Sequence, residues 1–343
     1  MTVYVGLDVS LRSVAMCVLD REGRTIEEKK LPCEVADIAG HLRSAGYSVE
    51  RIGLEAGTMS QMLFHGLTAE GFETVCMETR KVAAALKAMR NKTDKADARG
   101  IAHILRAGWY NPVHMKSRAS HELKALLAAR KAILNKRLDL ENEIRGLLKA
   151  FGVRLPAHIA RRRFDEIVRP IIEADEGLSF ALLPMLDMRN QLFDAFLEME
   201  RRVYAASRRD PICMLLMTAP GVGPVTALGF RAGVDTPERF SSSRLVGAHF
   251  GLTPRRFQSG EMDNTGKTSR IGDKDVRSAL YTAANSLLLR STRPSALKTW
   301  GLKMVRLKGR RRALVAVARK LAVILHRMWV TNTPFQALTR ASS

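Results

Sequence analysis

The chain has 343 residues, 46% of them hydrophobic, which is enough for two domains with packed cores. Its 56 Lys and Arg against 34 Asp and Glu give a net charge of +22 and a pI near 10.4, pointing to a large anionic partner, most often nucleic acid. No apolar run approaches the roughly 20 residues of a spanning helix, and "MTVYVGLDVS" lacks the basic start of a signal peptide, so the expectation is a cytoplasmic protein without a membrane partner.

The first hundred residues alternate in a readable way. "VYVGLDV" and "VAMCVLD" are strand patterns, and the turn Asp20–Gly23 leads to a third, polar strand, "RTIEEKKL". A helix over Val35–Ala45 follows, then the strand "VERIGLEA", a helix from Met59 to Glu70 and the strand "FETVCM". Helical segments then cover Lys81–Met89 and Asp94–Ala107. An antiparallel meander followed by βαβ units is the order of an RNase H-like fold, in which the fourth strand lies beside the first.

That order gives meaning to four carboxylates: Asp8 in "GLDVS", Glu55 in "GLEAG", and Asp94 with Asp97 in "RNKTDKADARG". Asp8 and Glu55 close neighbouring strands, at the end of a sheet where ligands collect. They interrupt apolar runs, where an unpaired carboxylate is costly. Asp94 and Asp97 stand three apart and share a helix face. Taken singly, Asp97 reads as a solvated helix residue and Asp94 as part of a helix start. Together the four have the spacing to hold two divalent ions about 4 Å apart on a phosphodiester. Cys17, Cys33, Cys76 and Cys213 lie far apart with no CxxC, which argues against zinc and disulfides and for buried, reduced thiols.

From Ser117 to about Arg209 the composition turns to Leu, Ala, Lys, Arg and Glu, with apolar residues at three- and four-residue steps. One long helix reaches about Phe151 and another runs from Leu178 towards Ala206, an antiparallel, coiled-coil-like spacer that positions domains and can mediate self-association. The division expected is 1–112, 113–209 and 210–343.

In the last part, "MTAPGVGPVTALGF" reads as helix, Gly-Val-Gly turn and helix. This is a helix-hairpin-helix pattern in which Gly221 and Gly223 let backbone N–H groups approach a phosphate. Glycine turns are common in helical hairpins, so the turn alone is weak evidence. Arg255, Arg256, Ser259, Lys267 and Arg270 follow in a small, polar, basic stretch that suits a phosphate-binding loop. No local rule picks Ser259 over Ser241, Ser242, Ser243 or Ser269. From Val276 onward there is no Asp or Glu, and Arg310, Arg311 and Arg312 crowd one basic segment.

The motifs "GLDVS", "GLEAG", "RNKTDKADARG", "PGVGPVTA" and "GLTPRRFQSG", in this order, resemble the insertion-sequence transposases that join a RuvC-like DEDD domain to a serine-bearing transposase domain. The resemblance spans nearly the whole chain and is only architectural in its helical middle. It implies an α/β plus α protein: an RNase H-like (RuvC-like) mixed-sheet domain, a helical spacer and a mainly helical C-terminal domain. It further implies that Asp8, Glu55, Asp94 and Asp97 bind Mg²⁺ (or Mn²⁺), and that Ser259 forms a transient phosphoserine link to DNA. By the same resemblance Arg255, Arg256, Lys267, Arg270 and the Arg310–Arg312 segment would contact nucleic acid. The partners implied are donor and target DNA and a structured noncoding bridge RNA from the element. A homo-oligomer, dimer or tetramer, with active sites shared between protomers is implied as well, in a bacterial or archaeal cytoplasm at the nucleoid.

Three other readings compete. In a metal-dependent nuclease or junction resolvase the carboxylates would activate water, leaving no covalent intermediate. A non-catalytic nucleic-acid-binding protein would make the carboxylates dispensable. "GLDVS" also opens actin-like sugar kinases, which need nucleotide loops and a second copy of the fold and do not call for this charge.

Overall fold

Alternation along the first strand sets the plan of the N-terminal unit, Met1–Lys116. In β1 (Thr2–Val9), Val3, Val5 and Leu7 point to one face, so Tyr4, Gly6 and Asp8 point to the other. β2 (Ser13–Leu19) and β3 (Thr25–Pro32) run antiparallel from it, while β4 (Ser48–Glu55) and β5 (Thr74–Met77) lie parallel on its other side. The order β3-β2-β1-β4-β5 makes a mixed sheet with the fourth strand beside the first, as the strand pattern predicts. α1 (Val35–Ser44) and α2 (Ser60–Ala69) bury Ile38, Leu42, Leu63 and Leu67 against the Val3 face. α3 (Thr79–Leu86) and α4 (Asp94–Ala107) serve the opposite face, where Ala98 and Ala102 meet Ala15 and Cys17, and Ile101 and Leu105 join Met77 and Val82. This computed structural model describes residues 1–87, 93–259 and 262–337, so the end of the helix expected to reach Met89 lies outside the described residues.

All four cysteines are free and buried. Burial pushes the Cys17 and Cys76 thiols up to about 11 and the Cys213 thiol up to about 12, so these three are not thiolates at neutral pH.

The second unit, Ser117–Ser343, begins with α5 (Arg118–Ala150). α6 (Phe164–Glu173) is short, and α7 (Glu176–Arg209) returns along α5. Arg130 pairs with Glu200 and Glu141 with Arg189, so numbers rise on one helix as they fall on the other, the signature of antiparallel packing. Arg137 and Arg189, each 1% exposed, share the single Glu141 carboxylate at 2.7 and 2.6 Å. The Arg189 guanidinium also lies over the Phe164 and Phe193 rings. At the far end of the pair Ile144, Leu148, Val168 and Leu182 form their own core, whereas Leu123, Leu126 and Leu127 at the near end pack into the C-terminal core.

That C-terminal core is helical. It is built from α8 (Pro211–Leu216), α9 (Pro224–Val234), α10 (Arg244–His249), α11 (Lys274–Leu289), α12 (Ala296–Lys308) and α13 (Arg310–Thr331). Two local expectations are corrected. The helix expected to start at Met217 ends instead at Leu216, because Pro220 supplies no N–H and Gly221 turns the chain at φ +85°. The stretch read as a phosphate-binding loop is a hairpin, β6 (Pro254–Ser259) with β7 (Met262–Thr268). Pro254, Arg255 and Arg256 are exposed, so the start of β6 carries no buried stripe to announce a strand.

Candidate functional site

Asp8 and Glu55 stand next to each other at the end of the sheet. β1 and β4 are parallel and paired through Leu7↔Leu54, so the following residues lie side by side, with backbones about 4.8 Å apart. They also share a face. Asp8 pairs with Ala15, which packs against α4, and Glu55 is two residues beyond Gly53, whose open side meets Leu105 of α4. Both carboxylates are half-buried on the α4 side.

α4 brings up the other two. Its sheet-facing stripe is Ala98, Ile101, Ala102 and Leu105; continued backwards by the same three- and four-residue steps it reaches Asp97 and Asp94. The helix runs antiparallel to β1, because Arg106 at its other end donates to the Arg21 carbonyl (3.0 Å) in the β2–β3 turn. The acidic first turn therefore lies towards the strand ends that carry Asp8 and Glu55. A pocket of about 460 Å³ lined by Ala15, Lys30, Thr93, Asp94 and Lys95 marks this junction. Thr93 is the N-cap, its Oγ1 accepting from the Ala96 N–H at 3.2 Å, so Asp94 is the first helical residue rather than the cap.

Gly6 is what lets α4 sit on the sheet. A Cβ there would stand 2.3 Å from the Ala98 carbonyl oxygen and 2.4 Å from the Ala102 nitrogen, both backbone atoms that cannot turn aside. Gly6→Val is expected to cost about 3 kcal/mol by overpacking, with all four carboxylates present. Thermal unfolding checks this; wild-type stability would show that α4 is not positioned here.

Among the described residues no three His, Cys, Asp or Glu side chains form a group that could hold a metal ion; Asp8 and Glu55 follow the paired Leu7 and Leu54, and Asp94 and Asp97 lie in the α4 first turn directed to the same end. Their all-carboxylate oxygen donors and their placement suit a hard divalent cation such as Mg²⁺. Two residues here escaped the sequence reading. Lys30 lies in the cross-strand row Asp8–Ala15–Lys30, and Lys95 sits between the two aspartates, so the acidic end of the sheet has basic neighbours able to meet a phosphate. The "EEKK" of the polar edge strand was the available signal.

The serine lies in the second unit. Ser259 is the last residue of β6, paired with Met262 across a tip whose residues 260 and 261 lie outside the described residues; its side chain is likewise outside the description. Five steps along β6 put its backbone roughly 17 Å from Pro254. The base of this arm is fixed. Ser269 N–H donates to Thr253 (2.8 Å) and Arg270 N–H to Gly251 (3.2 Å), and Arg277 donates to the Phe250 and Ile271 carbonyls. Arg255, Arg256 and Lys267 are exposed along the hairpin, and Arg270 is exposed at its base with φ +54°. Two rival serines have structural tasks: Ser242 Oγ accepts from the Arg244 N–H, and Ser243 Oγ is bonded to the buried His326.

At the Gly-Val-Gly turn the two glycines differ. Gly221 is needed for packing, since a Cβ there would meet the Ala283 carbonyl of α11 at 2.4 Å, whereas Gly223 opens onto free space at the start of α9. Arg310, Arg311 and Arg312 are exposed in the first turn of α13, which has no acidic residue and no side-chain cap. Cations at that positive end are unfavourable unless an anion joins them.

Residues 5–152 match a family model described as a transposase with a DEDD domain of the IS110 type, and residues 213–300 match the transposase IS116/IS110/IS902 family. The transposase for insertion sequence element IS1111A of Coxiella burnetii is 28% identical over 94% of this chain and 88% of its own. The transposase for insertion sequence element IS1328 of Yersinia enterocolitica is 23% identical over 96% of each chain. A Thermus thermophilus RuvC structure aligns with 32% of this chain and 99% of its own at 13% identity and a TM-score of 0.26, a likeness too slight to argue from. Matched by IS110-type models at both ends and by full-length relatives between them, the chain belongs to the IS110/IS116 family of DNA transposases, with a DEDD N-terminal domain.

Proposed function

We propose that this transposase is an RNA-guided recombinase that cuts and rejoins donor and target DNA through a transient phosphoserine at Ser259. The observation that supports it most is the convergence of Asp8, Glu55 and the acidic first turn of α4 on one end of one sheet face. Asp8, Glu55, Asp94 and Asp97 would hold Mg²⁺, which when bound polarises the scissile phosphate and stabilises the departing oxygen. Ser259 Oγ attacks the phosphorus; the Oγ–P bond forms, one sugar oxygen–phosphorus bond breaks, and the hydroxyl proton ends on that sugar oxygen. Rejoining is the reverse with a new strand's hydroxyl, so no nucleotide energy source is required. Arg255 and Arg256 neutralise non-bridging oxygens. The helix-hairpin-helix role of Gly221 and Gly223, the phosphate contacts of Lys267, Arg270 and Arg310–Arg312, the three-part division into 1–112, 113–209 and 210–343, and an oligomer with shared active sites belong to the same reading.

Guidance is tested by mixing protein with donor and target DNA, with and without RNA transcribed from the flanks of its gene, and with Mg²⁺ or EDTA. Joined products are expected only with both RNA and Mg²⁺. Equal joining without RNA would remove guidance, and equal joining in EDTA would remove the metal.

A further inference from the structure

A second concavity, of about 450 Å³, opens between the Met217–Val222 turn and the loop Arg290–Ser295, with Phe335 at its side. Its walls are tied together: the Phe335 N–H donates to Thr218 Oγ1 at 2.9 Å, the Ala296 N–H to the Ala337 carbonyl at 3.1 Å, and Lys298 Nζ holds the Ser291 carbonyl. Arg290 and Arg293 are exposed at the pocket, and neither guanidinium has a hydrogen-bond or ion-pair partner among the described residues. No acidic residue follows Asp275 in the sequence to neutralise them. The Gly221 N–H, also in the lining, donates to nothing among the described residues.

These features specify a ligand with an anionic end and a flat or apolar end. The two guanidiniums and the backbone N–H suit a phosphate. Pro294, Val222 and Phe335 offer a sugar or base an apolar surface, and the volume falls in the range of small-molecule clefts. A duplex can offer such a pocket only backbone oxygens at its rim; filling it takes a nucleotide outside the base stack. We infer that this pocket holds one unpaired nucleotide, its phosphate on Arg290 and Arg293 and its sugar or base against Pro294 and Phe335. The inference rests on the reading of the chain as a nucleic-acid enzyme, but not on Ser259 or the carboxylates. A strand held open here is what exchange between donor and target requires.

The test is fluorescence anisotropy of full-length protein in EDTA, where chemistry is stopped, with labelled single-stranded DNA, single-stranded RNA and the same DNA as duplex, over a salt series. Arg290→Ala/Arg293→Ala is expected to weaken single-strand binding about 10-fold and to make its salt slope shallower by about 0.7, one phosphate. Duplex binding should change by less than a factor of about 2. Thr292→Trp, which crowds the pocket without removing charge, should also weaken single-strand binding, with an unchanged melting temperature in both variants. Loss with DNA or with RNA supports the pocket and says which strand it grips. Unchanged single-strand affinity and slope, or an equal loss on duplex, would overturn it. Because no cleavage is read, failure of strand exchange and failure of this site are separate results.

Discussion

Asp8→Asn is expected to lower DNA strand cleavage by on the order of 10³-fold while leaving the fold and DNA binding in place, and Glu55→Gln should do the same. Both changes keep the size of the side chain and remove only its charge. The two residues end adjacent parallel strands on the face covered by α4, where like charges on neighbouring strands repel. Neutralising one therefore leaves stability within about 1 kcal/mol, which separates a chemical role from a structural one. Cleavage and thermal unfolding, measured on the same preparations, decide between them. If Asp8→Asn cut DNA at the wild-type rate, the carboxylate end of the sheet would not be the catalytic centre. If it lost activity only by unfolding, Asp8 would be a packing residue.

Ser259→Ala is expected to abolish joining completely and leave DNA affinity unchanged within a factor of about 2, since a nucleophile has no substitute while a single hydroxyl adds little to a phosphate-dominated affinity. The nuclease alternative predicts the opposite pattern, with hydrolysed ends still produced by Ser259→Ala. Ser259 ends β6, whose base is fixed at Gly251 and Arg277, while Ser242 and Ser243 are engaged in local hydrogen bonds.

Much of the first unit is legible in the sequence because period and position agree. Val3, Val5 and Leu7 alternate with Tyr4, Gly6 and Asp8, and the fourth strand pairs with the first as the meander and βαβ order demand. The acidic extension of the α4 stripe is legible too, since Asp94 and Asp97 continue the spacing of Ala98, Ile101 and Ala102. What could not be read from the sequence is close approach. Nothing local says that Gly6 is pressed by the Ala98 backbone or Gly221 by Ala283, because each partner lies far along the chain. The β6–β7 hairpin escaped for another reason: it is held by backbone pairing, and Pro254, Arg255 and Arg256, which open its first strand, are exposed and show no apolar alternation. Arg290 and Arg293 look like scattered basic residues until the fold sets the Gly221 turn beside them. The buried Arg137–Glu141–Arg189 group is similar, two ordinary i,i+4 partners on α5 turned into a core network by α7.

A link between DNA and Ser259 is tested by incubating end-labelled donor DNA with protein, Mg²⁺ and the element's RNA, denaturing, and analysing the protein-linked DNA by peptide mass spectrometry. A covalent adduct is expected on the peptide containing Ser259, absent from Ser259→Ala and from Asp8→Asn. Cleaved DNA with no adduct, at equal rates in wild type and Ser259→Ala, would contradict it and make the protein a hydrolytic nuclease.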